Sequence, residues 1–286
     1  MRKREERKNL GPVTNVKAKL LFFVSLLGIL LIISTPVVSS VFVNLISPTE
    51  TVPLSSSPAE VLMGPWPAGK IGPAIIDHTL QPYNTTIFHV NVTGVSDLFT
   101  WQVNMTWDPS ILNVSSIIPG EFLALSENQT SSEVLGFVID FTNNAEGYTG
   151  MAESILGEVS GITGEGRLVS IEFLVVGYGS TDLNITASGT LPTMLLNSTG
   201  DSMAFTTILV TQYFTAGYFR NKGPGDVDGD YYVGAGDASV LYLKYGVSIG
   251  NPIYDREADF DYDGYIGAGD ASVLYLKYGK TYPPWP

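Results

Sequence analysis

The chain of 286 residues contains no cysteine and only two histidines, His78 and His89. The first absence removes disulfides, thiolate metal sites and cysteine nucleophiles. The second leaves little for acid–base catalysis, since neither histidine has a nucleophile motif beside it and His89 falls on the polar phase of an alternating segment. Basic residues are also scarce. Fifteen Lys and Arg face 28 Asp and Glu, a formal charge of -13, which excludes the basic surface that nucleic acid demands. No convincing long helical periodicity follows the N-terminal segment. What remains is 44% hydrophobic, with 30 Gly and 17 Pro, the composition of an ordered, turn-rich, mainly β protein.

Residues 1–46 begin with the basic leader Met1-Arg-Lys-Arg-Glu-Glu-Arg-Lys8 and continue into an apolar run, Leu20 to Ile33, broken only by Ser25 and Gly28. A basic flank before such a run predicts an N-terminal hydrophobic helix, either a cleaved signal peptide or a membrane anchor. Either outcome keeps the positive flank inside and places the remainder outside, at the cell surface or secreted. Residues 47–69 hold five Pro and four Ser and read as a semi-extended spacer.

Residues 70–219 alternate with period two. Phe99, Trp101, Val103, Met105 and Trp107 interleave with Thr100, Gln102, Asn104 and Thr106, which predicts a strand with one buried face. Phe88–Val92, Leu135–Phe141, Val169–Val175 and Ile208–Phe214 read likewise, with turn signals such as Asp108-Pro109 and Pro119-Gly120 between them. Many short strands without a long helix predict a jelly-roll-like β-sandwich. Seven of the nine asparagines between 84 and 197 lie in Asn-X-Ser/Thr: Asn84, Asn91, Asn104, Asn113, Asn128, Asn184 and Asn197. The clustering points to a glycosylated exterior domain.

After a short linker, 220–225, residues 226–282 carry a repeat. Asp226-Val-Asp-Gly-Asp-Tyr-Tyr-Val-Gly-Ala-Gly-Asp237 returns 33 residues later as Asp259-Phe-Asp-Tyr-Asp-Gly-Tyr-Ile-Gly-Ala-Gly-Asp270, and residues 234–246 are identical to 267–279. Two copies of one supersecondary unit follow. Each twelve-residue loop puts carboxylates at positions one, three, five and twelve: Asp226, Asp228, Asp230 and Asp237, then Asp259, Asp261, Asp263 and Asp270. With the carbonyls of Tyr232 and Tyr265 at position seven, this is the oxygen set that a hard cation such as calcium takes, one ion per loop. Val233 and Ile266 are expected to join the two loops through a β contact. A helix should follow each loop and end at Gly246 or Gly279.

This segment resembles a type I dockerin, whose duplicated loop–helix pattern also ends each loop in Asp. Tyr231 departs from that pattern by replacing the usual Gly at position six, which predicts a weaker first site. The partner face implied by the resemblance comprises Ala235, Gly236, Leu241 and Lys244, with Ala268, Gly269, Leu274 and Lys277. The preceding sandwich is similar to a cohesin through Trp101–Leu112, Pro119–Phe122 and Gly164–Phe173. Together the resemblances imply a non-enzymatic adaptor, anchored or secreted, that joins cohesin- or dockerin-bearing proteins, other copies of itself among them. The alternative is a carbohydrate-binding component of a polysaccharide-degrading complex; a hydrolase is suggested by association only. The linker is too short for the second module to swing onto a lateral sheet face of the sandwich, so if the two modules recognise each other, pairing between molecules is favoured. The alternative is that they serve different partners.

Overall fold

The strands are organised by one segment, β3 (Thr85–Thr106), which runs for 22 residues. Its first half pairs with β1 (Ala59–Gly64) on one side and β7 (Ile162–Val175) on the other. Its second half pairs with β6 (Tyr148–Ser154) and with β9 (Met194–Asn197), and its end meets β8 (Ser180–Ile185). Between the halves Gly94 and Asp97 take positive φ, 68° and 63°, and the register against β7 shifts. Such bulges bend a strand and increase its twist. The separate strands expected at Phe88–Val92 and Phe99–Trp107 are therefore one strand that serves two groups of neighbours. This computed structural model describes residues 59–65, 72–123, 139–156, 159–186, 192–203, 205–207, 209–211 and 214–282.

The remaining strands extend both groups. β4 (Leu112–Pro119) adds to β7, and β10 (Phe205–Thr207) lies parallel to β1. β5 (Ile139–Asn143) pairs with β6. β12 (Phe214–Arg220) lies antiparallel to β8 and parallel to β2 (Ala74–Ile76), with β11 (Leu209–Thr211) beside it. The core follows the expected alternation, since Trp101, Val103 and Met105 are fully buried and Trp107 nearly so. Phe173 meets both Phe88 and Trp107 edge to face, at 6.2 and 5.3 Å between centroids. That geometry is favoured by the ring quadrupoles.

Several expectations change. Residues 59–64 are strand β1 rather than spacer, because Val61 and Met63 alternate into the core. The stretch 220–225 is not a free linker, since Arg220 ends β12 and Arg220 and Asn221 are both buried. Asn104 is buried rather than facing solvent on the polar phase of its strand. It is 8% exposed, and a Cβ added to Gly150 on the adjacent strand would lie 2.6 Å from its Oδ1. Asn84 is exposed, while Asn91, Asn113, Asn184 and Asn197 are half-buried. Asn128 and the hydrophobic leader lie outside the described residues. Among the described residues no helix is long and apolar enough to cross a membrane.

The C-terminal module has two ten-residue helices, Ala235–Lys244 and Ala268–Lys277. Each begins three residues before its expected start. Gly246 and Gly279 follow them at φ 84° and 81°, the left-handed conformation that ends a helix at little cost for glycine. Val233 and Ile266 are fully buried in one small core with Leu241, Ala258 and Leu274. They do not pair with each other. Val233 bonds with Gly279 and Lys280, and Ile266 with Gly246 and Val247. Each loop is therefore closed by the chain leaving the other repeat's helix.

Phe173→Ala should cost about 3–5 kcal/mol through loss of buried aromatic surface and the cavity left behind. Urea unfolding of the full chain measures this, and a cost below about 1 kcal/mol would contradict the packing described.

Candidate metal centre

The two loops bring carboxylates together as the spacing requires. The ligand atoms of Asp226, Asp228 and Asp237 lie within 4.8 Å of one another, and those of Asp259, Asp261 and Asp263 do the same. Asp230 falls outside the first trio and Asp270 outside the second. The exposed Tyr232 and Tyr265 follow Asp230 and Asp263 and donate their N–H groups to them, both at 2.8 Å.

Backbone amides hold the carboxylates in place. Asp237 accepts from Val227 at 2.6 Å and from Gly234 at 2.7 Å, while Asp270 accepts from Phe260 and Gly267 at 2.6 and 2.8 Å. The twelfth residue thus ties the loop's start to the helix that follows. Gly229 and Tyr231 donate to Asp226 at 2.8 and 3.2 Å. Gly236 and Gly269 leave room for position three, because a Cβ at either would come within 2.7 or 2.6 Å of Asp228 or Asp261. Their role is to admit a ligand side chain, although both remain exposed beside Ala235 and Ala268.

Hard oxygen donors at this spacing, with buried Asp226, Asp237, Asp259 and Asp270, fit a divalent cation such as calcium. Burial pushes the Asp259 carboxyl up to about 6, with the nearby Asp270 charge adding to the rise. Burial, followed by the Asp261 charge, also raises Asp270. Desolvation raises Asp228, and its Asp237, Asp230 and Asp226 neighbours act in the same direction. Burial is the main cause in all three, and the neighbouring carboxylates act in the same direction.

The partner face needs correction. Leu241 and Leu274 are 4% and 8% exposed and belong to the module core, because they lie on the inner side of their helices. Lys244 and Lys277 are half-buried. The exposed apolar side chains are Tyr242, Leu243 and Tyr245 on the first helix and Tyr275, Leu276 and Tyr278 on the second, with Tyr242 and Tyr275 both 82% exposed. Tyr242 and Leu243, like Tyr275 and Leu276, follow the buried leucine by one and two residues, about 100° and 200° round the helix, which could have marked them as solvent-facing.

The module is seated on the end of its own sandwich. Glu257, in the 3₁₀ turn Arg256–Ala258, accepts hydrogen bonds from the hydroxyls of Ser180 on β8 and Tyr218 on β12. Lys222 Nζ lies 2.6 Å and Arg220 Nε 3.5 Å from its other oxygen. Burial alone would raise Glu257, yet Arg220 and Lys222 hold it below the usual glutamate value. Arg256 pairs with Asp182 of β8 and lies 4.5 Å above the Tyr218 ring. Tyr218 also stacks on Tyr262 at 5.3 Å, and Tyr178 stacks on Tyr231 at 4.3 Å. The two modules thus touch within one chain, at the sandwich end that the short connection reaches, whereas the expected pairing between molecules concerned a lateral sheet face. His89 stands apart from this region, 2.9 Å from Ser170 in a cross-strand pair.

No protein-family model matches the chain. No curated protein matches it either. Among solved structures it is similar to a non-cellulosomal cohesin from Archaeoglobus fulgidus, at 14% identity over 57% of this chain and 91% of that one, with a TM-score of 0.40. It is also similar to the second type II cohesin module of the ScaA scaffoldin of Acetivibrio cellulolyticus, at 18% identity over 60% and 99%, TM-score 0.43. A third is the ScaC cohesin of Acetivibrio cellulolyticus in complex with the ScaB dockerin, at 16% identity over 57% and 97%, TM-score 0.39.

The raised carboxyls set a pH dependence. Because the folded value of Asp259 lies above the unfolded one near 3.9, its contribution to stability is full below that value and is lost as pH rises through about 6. Without divalent cation the module should melt lower at pH 7.5 than at pH 5.5. Added calcium should reverse that order, since the cation displaces the protons. Calorimetric scans at the two pH values, with and without calcium, give the comparison.

Glu257→Ala should cost about 3–5 kcal/mol, because Arg220 and Lys222 would remain buried without their anion. The module's calorimetric transition reports it, and an unchanged transition would show that this contact does not hold the module.

Proposed function

We propose that the protein is an adaptor outside the cell, with a cohesin-like sandwich and a calcium-dependent, dockerin-like module that binds a protein partner. The observation that carries this reading is the duplicated loop, with two trios of convergent carboxylates followed by identical helices. Calcium would be held by Asp226, Asp228, Asp230, Asp237 and the Tyr232 carbonyl in the first loop. In the second it would be held by Asp259, Asp261, Asp263, Asp270 and the Tyr265 carbonyl. By cancelling like charge it would fix the two helices against each other.

The partner surface in this reading is the pair of exposed patches around Tyr242 and Leu243 and around Tyr275 and Leu276. Solvent-facing apolar side chains repeated in this way are a cost unless covered by a partner. Identical sequences on both helices would let a partner dock in either of two orientations. The basic leader and apolar run support placement at the cell surface or in the medium.

The test is capture of isolated cohesin-type modules by the full chain, with calcium and with chelator, beside an insoluble polysaccharide arm. Calcium-dependent capture of a module is expected. Tyr242→Ala with Leu243→Ala should reduce binding only a few-fold, while adding Tyr275→Ala and Leu276→Ala should abolish it. Retention on polysaccharide alone would favour the carbohydrate-binding alternative and refute the adaptor reading.

A further inference from the structure

The two loops share eight of their twelve residues, yet the side chains that support their first ligands come from different places. In the second loop the Tyr254 hydroxyl donates to Asp259 Oδ2, and Tyr254 lies five residues before that aspartate within the module itself. Five residues before Asp226 stands Asn221, which is turned away. Its Nδ2 donates to the carbonyls of Leu80 and Gly177, and its Oδ1 accepts from Gly179. The missing tyrosine is supplied by the sandwich. Tyr178, between β7 and β8, donates to Asp226 Oδ2 at 2.6 Å and accepts from the Gly223 N–H at 2.7 Å.

The departures between the repeats fit the same division. Position six is Tyr231 in the first loop, at φ 70°, and Gly264 in the second, at φ 91°. Position four is Gly229 at φ 80° in the first and Tyr262 at φ 57° in the second. A tyrosine in left-handed backbone is strained and needs an offsetting contact. Tyr231 has the Tyr178 ring and Tyr262 has the Tyr218 ring. Each loop thus gives one left-handed position to an aromatic residue that stacks on the sandwich. Arg220 adds a bond from its guanidinium to the Asp226 carbonyl at 3.0 Å.

We propose that the sandwich completes the first cation loop, with Tyr178 as the residue that positions Asp226, so that cation binding at this loop and seating of the module are one coupled equilibrium. This rests on the calcium reading of the loops. Groups that orient a ligand from behind commonly change metal affinity by about 10–100-fold, and any such coupling is reciprocal. The second loop, which carries its own tyrosine, is the internal reference.

The experiment is calcium titration of the full chain by calorimetry, comparing the unaltered protein with Tyr178→Phe and Tyr254→Phe. Asp228→Ala and Asp261→Ala versions assign the two sites. Tyr178→Phe should weaken the first site by roughly tenfold and leave the second within twofold, and Tyr254→Phe should do the converse. Hydrogen exchange of residues 177–186 supplies the reciprocal reading. Protection there should fall on chelation and in Asp228→Ala, and hold in Asp261→Ala. An unchanged first site in Tyr178→Phe, or equal weakening of both sites, would overturn the coupling while leaving calcium binding intact. Absence of any calcium binding by the unaltered chain would overturn the calcium reading and the coupling with it.

Discussion

Glu257 is the anion around which the two parts of the chain are joined. It sits in a turn of the C-terminal module, yet its partners are Ser180, Tyr218, Arg220 and Lys222, all from the sandwich or the strand leaving it. Withdrawing these charges from water is costly, and their mutual attraction recovers that cost only in a single arrangement. A buried ionic group of this kind fixes geometry more than it adds stability. Here it sets where the module lies, and so which face of each loop and helix is covered and which remains open.

The sandwich meets this requirement because β8 and β12 pair with each other and end side by side. Ser180 and Asp182 on one strand and Tyr218 and Arg220 on the other are brought to one end of the sheet. Register partners such as Arg220 with Ser180 and Tyr218 with Asp182 convert a sequence separation of about 40 residues into one polar surface. Arg256 then bridges Asp182 and the Tyr218 ring. β8 in turn pairs with the end of β3, whose side chains form the hydrophobic core.

Much of the site is legible in the order of the amino acids. The four aspartate positions per loop, the helices that follow and their terminating glycines all belong to local patterns of a few residues. The alternation of Trp101, Val103, Met105 and Trp107 marks the buried face of β3 for the same reason. Other features are hidden. Asn104 carries a sequon on the polar phase of its strand, but the neighbouring Gly150 lets a second strand close over it. Residues 59–64 sit among prolines and resemble spacer until β3 pairs with them. Leu241 looks suited to a partner when its helix is considered without the second helix, whose packing claims it.

The sequence alone determined the carboxylate spacing, the repeat and the alternation, because each depends on neighbours in the chain and on the fixed periods of strand and helix. Only the tertiary structure decided that Tyr178 stands behind Asp226, that Tyr231 and Tyr262 have stacking partners, and that the module rests on its own sandwich. Those contacts join residues that local periodicity does not relate. They exist because sheet pairing aligns the ends of β8 and β12, and because a buried carboxylate accepts only an arrangement that supplies its cations and hydroxyls together.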